Sequence, residues 1–245
     1  MLAVPLLVES LYKKINENIV KNKKDKLVGS MIQLTNALKG VGIDIKKKVF
    51  AEIYENLGGN IKCVVSAAAP IDAKIGKWLQ DIGIIFLQGY GLTETAPIAA
   101  LTPEFDTKIG TAGKAVSGAE LKIDNPNENG EGEILIKSKT LMLGYYEDEE
   151  ATNEVIKVDE EGNRWFYSGD VGYLDNDGFL YITGRSKNVI VTQNGKNIYP
   201  EEIETLVNQI SYVNESMIYA KQDPRDEKEL IIAVKVTRDT AFLDE

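Results

Sequence analysis

Apolar positions in the first quarter of the chain recur at helical spacing. In PLLVESLYKKINENIV, Leu7, Leu11, Ile15 and Ile19 fall on one face with lysines opposite, which predicts an amphipathic helix. VGSMIQLTNALKG repeats the pattern and is expected to end at Gly40 as a C-cap. IDIKKKVFAEIYENLGG follows and stops at Gly58 and Gly59. Helix is therefore predicted over most of residues 5–58.

The pattern then alternates. IKCVVSAA (61–68) reads as a buried strand, DAKIGKWLQDIG (72–83) as a helix and IIFLQGYG (84–91) as a second strand. Strand, helix and strand with short loops predict a parallel βαβ unit with a right-handed crossover. From residue 108 short strands (AELKI, GEILIKS, VGYLD, GFLYITG) sit between Gly, Asn and Asp turns, the pattern of a small β-subdomain. Asp175-Asn176-Asp177-Gly178 predicts a tight hairpin, and YSGD (167–170) reads as a tight turn. The acid-rich stretch 124–161 reads as solvated surface loops. The last part reads strand, helix, strand, strand, with Pro200 at the helix start and Glu201 and Glu202 in its first turn. The fold class expected is α/β. A partial large domain (1–184) holds the βαβ unit and the β-subdomain (108–184). A small α+β C-terminal domain (185–245) follows.

A chain of 245 residues, 43% hydrophobic and 27% charged, can bury a sizeable core. No run approaches 18 apolar residues, so no transmembrane helix is expected. MLAVPLLVES lacks the basic start and cleavage pattern of a signal peptide. The single cysteine, Cys63, excludes an intramolecular disulfide, fits the cytoplasm, and reads as a buried small hydrophobe. Histidine is absent, which removes Ser-His-Asp and Cys-His catalysis and histidine zinc sites. Chemistry must run on carboxylates, lysines, arginines, hydroxyls and backbone dipoles. Residues 1–60 hold ten Lys and Arg against six Asp and Glu, while the remainder holds 18 against 32. That acidic balance argues against nucleic-acid binding. The lysine-rich helices fit a solvated face first, and a weak peripheral contact with an acidic membrane or with a phosphate-bearing substrate second.

Four segments carry candidate chemistry. In QGYGLTET (88–95), Gly89 and Gly91 allow close backbone approach to a ligand at the carboxyl end of a strand. Tyr90 offers a flat face, Thr93 a hydroxyl donor, and Glu94 a hard oxygen suited to Mg2+. In YSGD, an ionised Asp170 can accept two hydrogen bonds from adjacent hydroxyls. In ITGRSKN (182–188), Arg185 brings a planar, permanent cation for hydroxyl and phosphate oxygens. A hairpin between Asp170 and Arg185 returns both to one side. In QNGKNIYPEEIE (193–204), Gly195 permits a close backbone approach before a helix.

In this order the four segments resemble the adenylate-forming superfamily (acyl-CoA synthetases, luciferases, peptide-synthetase adenylation domains) over roughly residues 60–245. VPLLVESLYKKI, AAAP and GYGLTET look most like long-chain fatty acyl-CoA synthetases. The resemblance implies a two-step reaction of fatty acid, ATP and CoA through acyl-AMP, with Mg2+ as cofactor. It places Ala67, Ala68 and Ala69, within SAAAP, at the adenine loop with Gln88, Gly89 and Gly91. Tyr90 would stack on adenine, Thr93 contact the α-phosphate and Glu94 hold Mg2+. Asp170 would grip the ribose, Arg185 support ribose and phosphate, and Ile182 pack beside the nucleotide. Lys187 falls at the hinge between large and small domains, and Gly195 on the loop of the thiol tunnel.

The chain also departs from the family pattern. It holds no match to the upstream Ser/Thr/Gly-rich phosphate loop, to the C-terminal adenylation lysine, or to the aromatic-histidine segment of the acyl site. The resemblance therefore implies a piece of a longer enzyme, inactive in adenylation by itself. Two alternatives stay open: a non-catalytic AMP- or acyl-AMP-binding module, and an aryl- or amino-acid-activating member of the superfamily.

Overall fold

A computed structural model describes residues 1–67, 71–192, 196–210, 212–223 and 226–238. The chain divides into two compact units, Met1–Gly91 with Ala100–Lys114, and Leu92–Ala99 with Ala115–Glu245.

The first unit opens with a short strand, β1 (Leu2–Ala3), and the helices α1 (Pro5–Lys21), α2 (Asp25–Gly40), α3 (Lys46–Val49) and α4 (Ala51–Asn56). The βαβ unit follows as β2 (Cys63–Ser66), α5 (Ala73–Asp81) and β3 (Ile85–Tyr90). β1, β2 and β3 run parallel, and β4 (Ala100–Leu101) joins β3 antiparallel. β5 (Lys114–Ala115) comes last in the sheet, where the chain passes into the second unit. Asp72 caps α5 by accepting the Lys74 amide. The core joins one sheet face to the helices through Ala3, Val8, Phe50, Ile53, Tyr54, Val64, Ile75, Leu79, Ile82, Ile84 and Phe86.

Several expectations for this unit need correction. The buried stripe of α1 is Val8 with Tyr12, Ile15 and Ile19 beside it, while Leu7 is 46% exposed. Pro5 at the first turn sets the start of the helix, and its phase then turns Leu7 outward. Gly40 is the last residue of α2, and the left-handed position is Gly42 (φ 86°). The third predicted helix breaks at Phe50 into α3 and α4, which lets the Phe50 ring enter the core. Lys46 is also buried there. Its ammonium donates to the Gln80 carbonyl at the end of α5, where positive charge suits the helix dipole. Burial first, then repulsion from Lys39, pulls its pKa down. Cys63 is half-buried rather than buried, because β2 exposes alternate residues on a face that no helix covers. Burial pushes its thiol pKa up, which fits an inert residue.

The second unit is built on an antiparallel sheet of β6 (Ala119–Asp124), β7 (Gly132–Ser138), β9 (Arg164–Leu174) and β10 (Leu180–Arg185). β8 (Ile156–Val158) pairs with the start of β9. Ile134, Leu135, Ile136, Phe166 and Leu180 are all buried. The hairpin at Asp175–Gly178 closes with Gly178 at φ 81°. The acidic stretch is not all loop. Glu149–Val155 forms α6, whose N-cap Asp148 accepts the Ala151 amide, and Glu149 and Glu150 sit where negative charge favours a helix. YSGD is not a turn either: it lies inside β9 as a bulge. Between Leu135↔Tyr167 and Glu133↔Val171, β7 advances two residues and β9 four.

Beyond β10 the chain forms the short strands β11 (Ile190–Val191) and β12 (Asn197–Ile198), then α7 (Pro200–Val207) and the ribbon β13 (Val213–Asp223) with β14 (Asp226–Arg238). α7 lies against β13. Glu204 accepts the Ile218 amide, and Val213, Ser216 and Ile218 are buried. No described helix is long and apolar enough to cross a membrane.

Candidate functional site

In the first unit, Gln88, Gly89 and Tyr90 form the carboxyl end of β3, the side of a parallel sheet where ligands bind. The Thr102 hydroxyl locks Gln88, donating to its carbonyl at 2.8 Å while accepting its amide. Gly89 faces Leu101, and Tyr90 faces Ala100 in the β3–β4 register. Only 9% of Tyr90 is exposed, so a base can reach little more than its edge. Gly91 is half-buried. Ser66, in register with Gln88, is fully buried, and its hydroxyl has no hydrogen-bond partner. Ala67 is half-buried just beyond it, while Ala68, Ala69 and Gly195 lie outside the described residues.

In the second unit, a single 3-10 turn, Thr93–Thr95, presents Thr93 to solvent and half-buries Glu94. Its backbone is pinned from the segment after β7. The Met142 amide donates to the Glu94 carbonyl at 2.8 Å, and the Thr140 hydroxyl donates to the Thr95 carbonyl at 2.8 Å. The Tyr145 phenol donates to Glu94 Oε1 at 2.9 Å. Burial, followed by that bond to Glu94, pushes the Tyr145 pKa up, so the phenol stays a donor at neutral pH. The second oxygen, Oε2, remains as a hard donor of the kind Mg2+ takes. Mg2+ draws most of its ligands from water and phosphate, so one carboxylate suffices. The described residues hold no group of three or more acidic, His or Cys side chains that would make an all-protein cage. The donor set thus fits a magnesium carried in with nucleotide phosphates.

The same unit brings Asp170 and Arg185 together. They are register partners across β9 and β10, and Arg185 Nε lies 3.0 Å from Asp170 Oδ1. The carboxylate is 7% exposed and the arginine side chain 59%. The β9 bulge aims the carboxylate. Gly169 takes φ 70°, its amide donates to Glu133 Oε1 at 2.9 Å, and its carbonyl accepts from the Ser186 hydroxyl. Ser168 donates to the Ile134 carbonyl and accepts the Asp170 amide. A carboxylate this well fixed accepts two hydroxyls with little reorganisation. Ile182 is partly exposed and pairs with Gly172.

Lys187 is exposed in the 3-10 turn Ser186–Asn188, directly after β10. Its neighbour Asn188 donates to Glu201 Oε1 at 2.7 Å, at the start of α7. Burial, then Glu131 and Glu201, push the Glu202 carboxyl pKa up.

Sequence reasoning missed Tyr145, Glu133 and Ser168. Tyr145 and Glu133 reach the site from 51 and 36 residues away along the chain, so no local pattern marks them. Ser168 stands inside the motif but reads there as a turn residue.

Comparison with known proteins adds three findings. Residues 1–146 match the model of a family described as AMP-binding enzyme. The long-chain-fatty-acid–CoA ligase FadD15 of Mycobacterium bovis is 31% identical over 91% of this chain and 38% of its own length, and the human ligase ACSBG1 is 31% identical over 100% and 35%. This chain therefore spans little more than a third of those relatives. Among solved structures, the o-succinylbenzoate CoA synthetase MenE of Bacillus subtilis superposes with a TM-score of 0.62 in complex with ATP and magnesium ion, at 29% identity, covering 72% of this chain and 36% of that one. Its complex with the acyl-adenylate intermediate gives 0.64 at 26% identity, covering 76% and 39%.

Proposed function

The chain belongs to the AMP-binding enzyme family, and we propose from that premise that it carries nucleotide-handling parts of an AMP-forming ligase joining a long-chain fatty acid to coenzyme A. The observation that carries the proposal is the Asp170–Arg185 pair at 3.0 Å, held across a hairpin with the carboxylate buried and the guanidinium open. A buried acceptor beside an exposed cation suits a ribose next to a phosphate.

In this reading Asp170 accepts both ribose hydroxyls, and Arg185 spans ribose and α-phosphate. Ala67, Ala68, Ala69, Gln88, Gly89, Tyr90 and Gly91 bound the adenine, with Ile182 packing beside the nucleotide. In the first step a carboxylate oxygen of the fatty acid attacks the α-phosphorus. The bond to the bridging oxygen breaks and pyrophosphate leaves. Thr93 donates to the α-phosphate, and Glu94 would hold the magnesium. That ion supplies positive charge against two reacting anions. In the second step the coenzyme A thiol loses its proton, its sulfur bonds the acyl carbon, and AMP departs. The domain boundary falls at Lys187, the hinge on which residues 185–245 turn between steps, with Gly195 on the thiol path. The substrates are small molecules handled in the cytoplasm. Without an upstream phosphate loop and a C-terminal lysine, this chain alone is inactive in adenylation.

The fatty substrate is supported by the long-chain ligases at 31% identity. The MenE structures support an aryl acid instead. Calorimetric titration with acyl-sulfamoyl-adenosine analogues of rising chain length decides between them, beside Asp170→Ala. Affinity should rise with chain length, and Asp170→Ala should weaken it about 10–100-fold, the loss of hydrogen bonds to a charged group. Equal affinity in the variant would remove Asp170 from the site.

A further inference from the structure

Glu94 is held more firmly than a lone metal ligand on a three-residue turn would be. Its backbone carbonyl accepts from Met142, and the neighbouring Thr95 carbonyl accepts from Thr140. Its side chain accepts from Tyr145. The donor segment is fixed in turn. The Arg164 guanidinium donates to the Met142 carbonyl at 3.2 Å and to the Leu143 carbonyl at 2.9 Å. The Tyr145 amide donates to the Thr152 hydroxyl at 2.9 Å, and that hydroxyl donates to the Asp148 carbonyl at the start of α6. A chain of bonds therefore runs from a helix N-terminus, through the backbone of Tyr145, to one oxygen of one carboxylate.

The geometry points to Tyr145 as the positioning residue that presents Glu94 Oε2 to a divalent cation arriving with the nucleotide. The inference rests on Glu94 being the metal ligand in the reading above. A carboxylate rotates about its terminal bond, and either oxygen can ligate. The phenol engages Oε1, fixes that rotation and leaves Oε2 as the ligand. Partners of this kind tune metal affinity, and removing one typically costs ~10–100-fold. Tyr145 is partly exposed, so its hydroxyl carries little of the folding energy. Tyr145→Phe removes the hydroxyl and keeps the ring.

The test measures Mn2+ affinity of the full chain with saturating ATP, by electron paramagnetic resonance, and AMP affinity without metal, by calorimetry. Tyr145→Phe should weaken Mn2+ binding ~10–100-fold and leave AMP binding unchanged. A merely structural role would move both. Thr152→Ala, which loosens the Tyr145 backbone and spares the phenol, should give a smaller loss of the same sign. Should Tyr145→Phe fail to fold, the Thr152→Ala result decides. Unchanged Mn2+ affinity in Tyr145→Phe, with a loss in Glu94→Gln, overturns the positioning role and leaves Glu94 as ligand. Unchanged affinity in Glu94→Gln removes the metal reading itself, and the inference with it. Absence of Mn2+ binding by folded wild-type chain does the same.

Discussion

In the parallel sheet, Val64, Phe86 and Ala3 are buried against helices, while register partners on the opposite face stay open. Cys63, Val65, Ile85 and Leu87 are only half-buried there, and Leu2 is 74% exposed. In the antiparallel sheet, three consecutive residues of β7, Ile134, Leu135 and Ile136, are buried on both faces. Parallel sheets are ordinarily covered on both sides by crossover helices. Here one layer is missing from the first unit, whereas the second closes on itself through hairpins. The site residues divide the same way. Asp170 and Arg185 stand on neighbouring strands of a local hairpin and come ready paired. Gln88 and Tyr90 stand at the end of a strand whose support is incomplete. Hairpins make a site from 15 residues of chain. Parallel strands make one only after distant segments have packed.

The largest effect expected from this difference follows Phe86→Ala. Phe86 is 2% exposed and joins the sheet to α5 at Gly76. Truncating a buried phenylalanine costs roughly 3–5 kcal/mol, much of what a half-covered unit can hold. Hydrogen exchange followed by mass spectrometry should show protection lost across β1, β2 and β3 and kept in β7, β9 and β10. Loss in both regions together would mean that the two fold as one cooperative block, and the comparison would fail.

The same division explains what was legible in the sequence. The βαβ unit, the hairpin at Asp175–Gly178 and the α7–β13 succession follow from local periodicity and turn residues, and their types are those expected. Asp170 was placed in a turn because Ser-Gly-Asp is turn chemistry. Only the pairing of β9 with β7, more than 30 residues upstream, turns that glycine kink into a bulge. Leu7 was assigned inward because an ideal period has no fixed phase, and Pro5 sets the phase. α6 was hidden because acidic residues signal solvent, although Asp148 followed by Glu149 and Glu150 is also a helix start. Tyr145 and Glu133 carried no local signal at all.

A smaller effect belongs to the turn between β8 and β9, where the second unit closes on itself. Hydrogen bonds from the Asn163 side chain, the Trp165 indole and the Asn163 and Glu161 amides pull Asp159 down from 3.8 to about 2. A depressed carboxyl contributes stability above its unfolded pKa. That contribution is lost as pH falls through the folded value. Asp159→Asn should therefore lower stability at neutral pH and flatten the melting temperature between pH 4 and pH 2. It should leave exchange in the parallel sheet unmoved. An acid limb as steep as that of the wild type would place the stabilising titration elsewhere.

The smallest expected effect tests the bare face most sharply. Leu2 pairs with Val65 in β1 and β2 and adds a large apolar side chain to the open side of the sheet. Leu2→Lys keeps the backbone ladder and places a charge on that side. If water covers the face, stability should change by no more than about 0.5 kcal/mol, as at ordinary surface positions. Denaturant titration reads that value, and sedimentation should show less self-association, since an exposed apolar patch is what draws copies together. A loss well above 1 kcal/mol, far beyond the surface range, would mean that something already packs on Leu2 in solution. The parallel sheet would then be as fully layered as the antiparallel one, and the contrast between a self-closing site and an unsupported one would disappear.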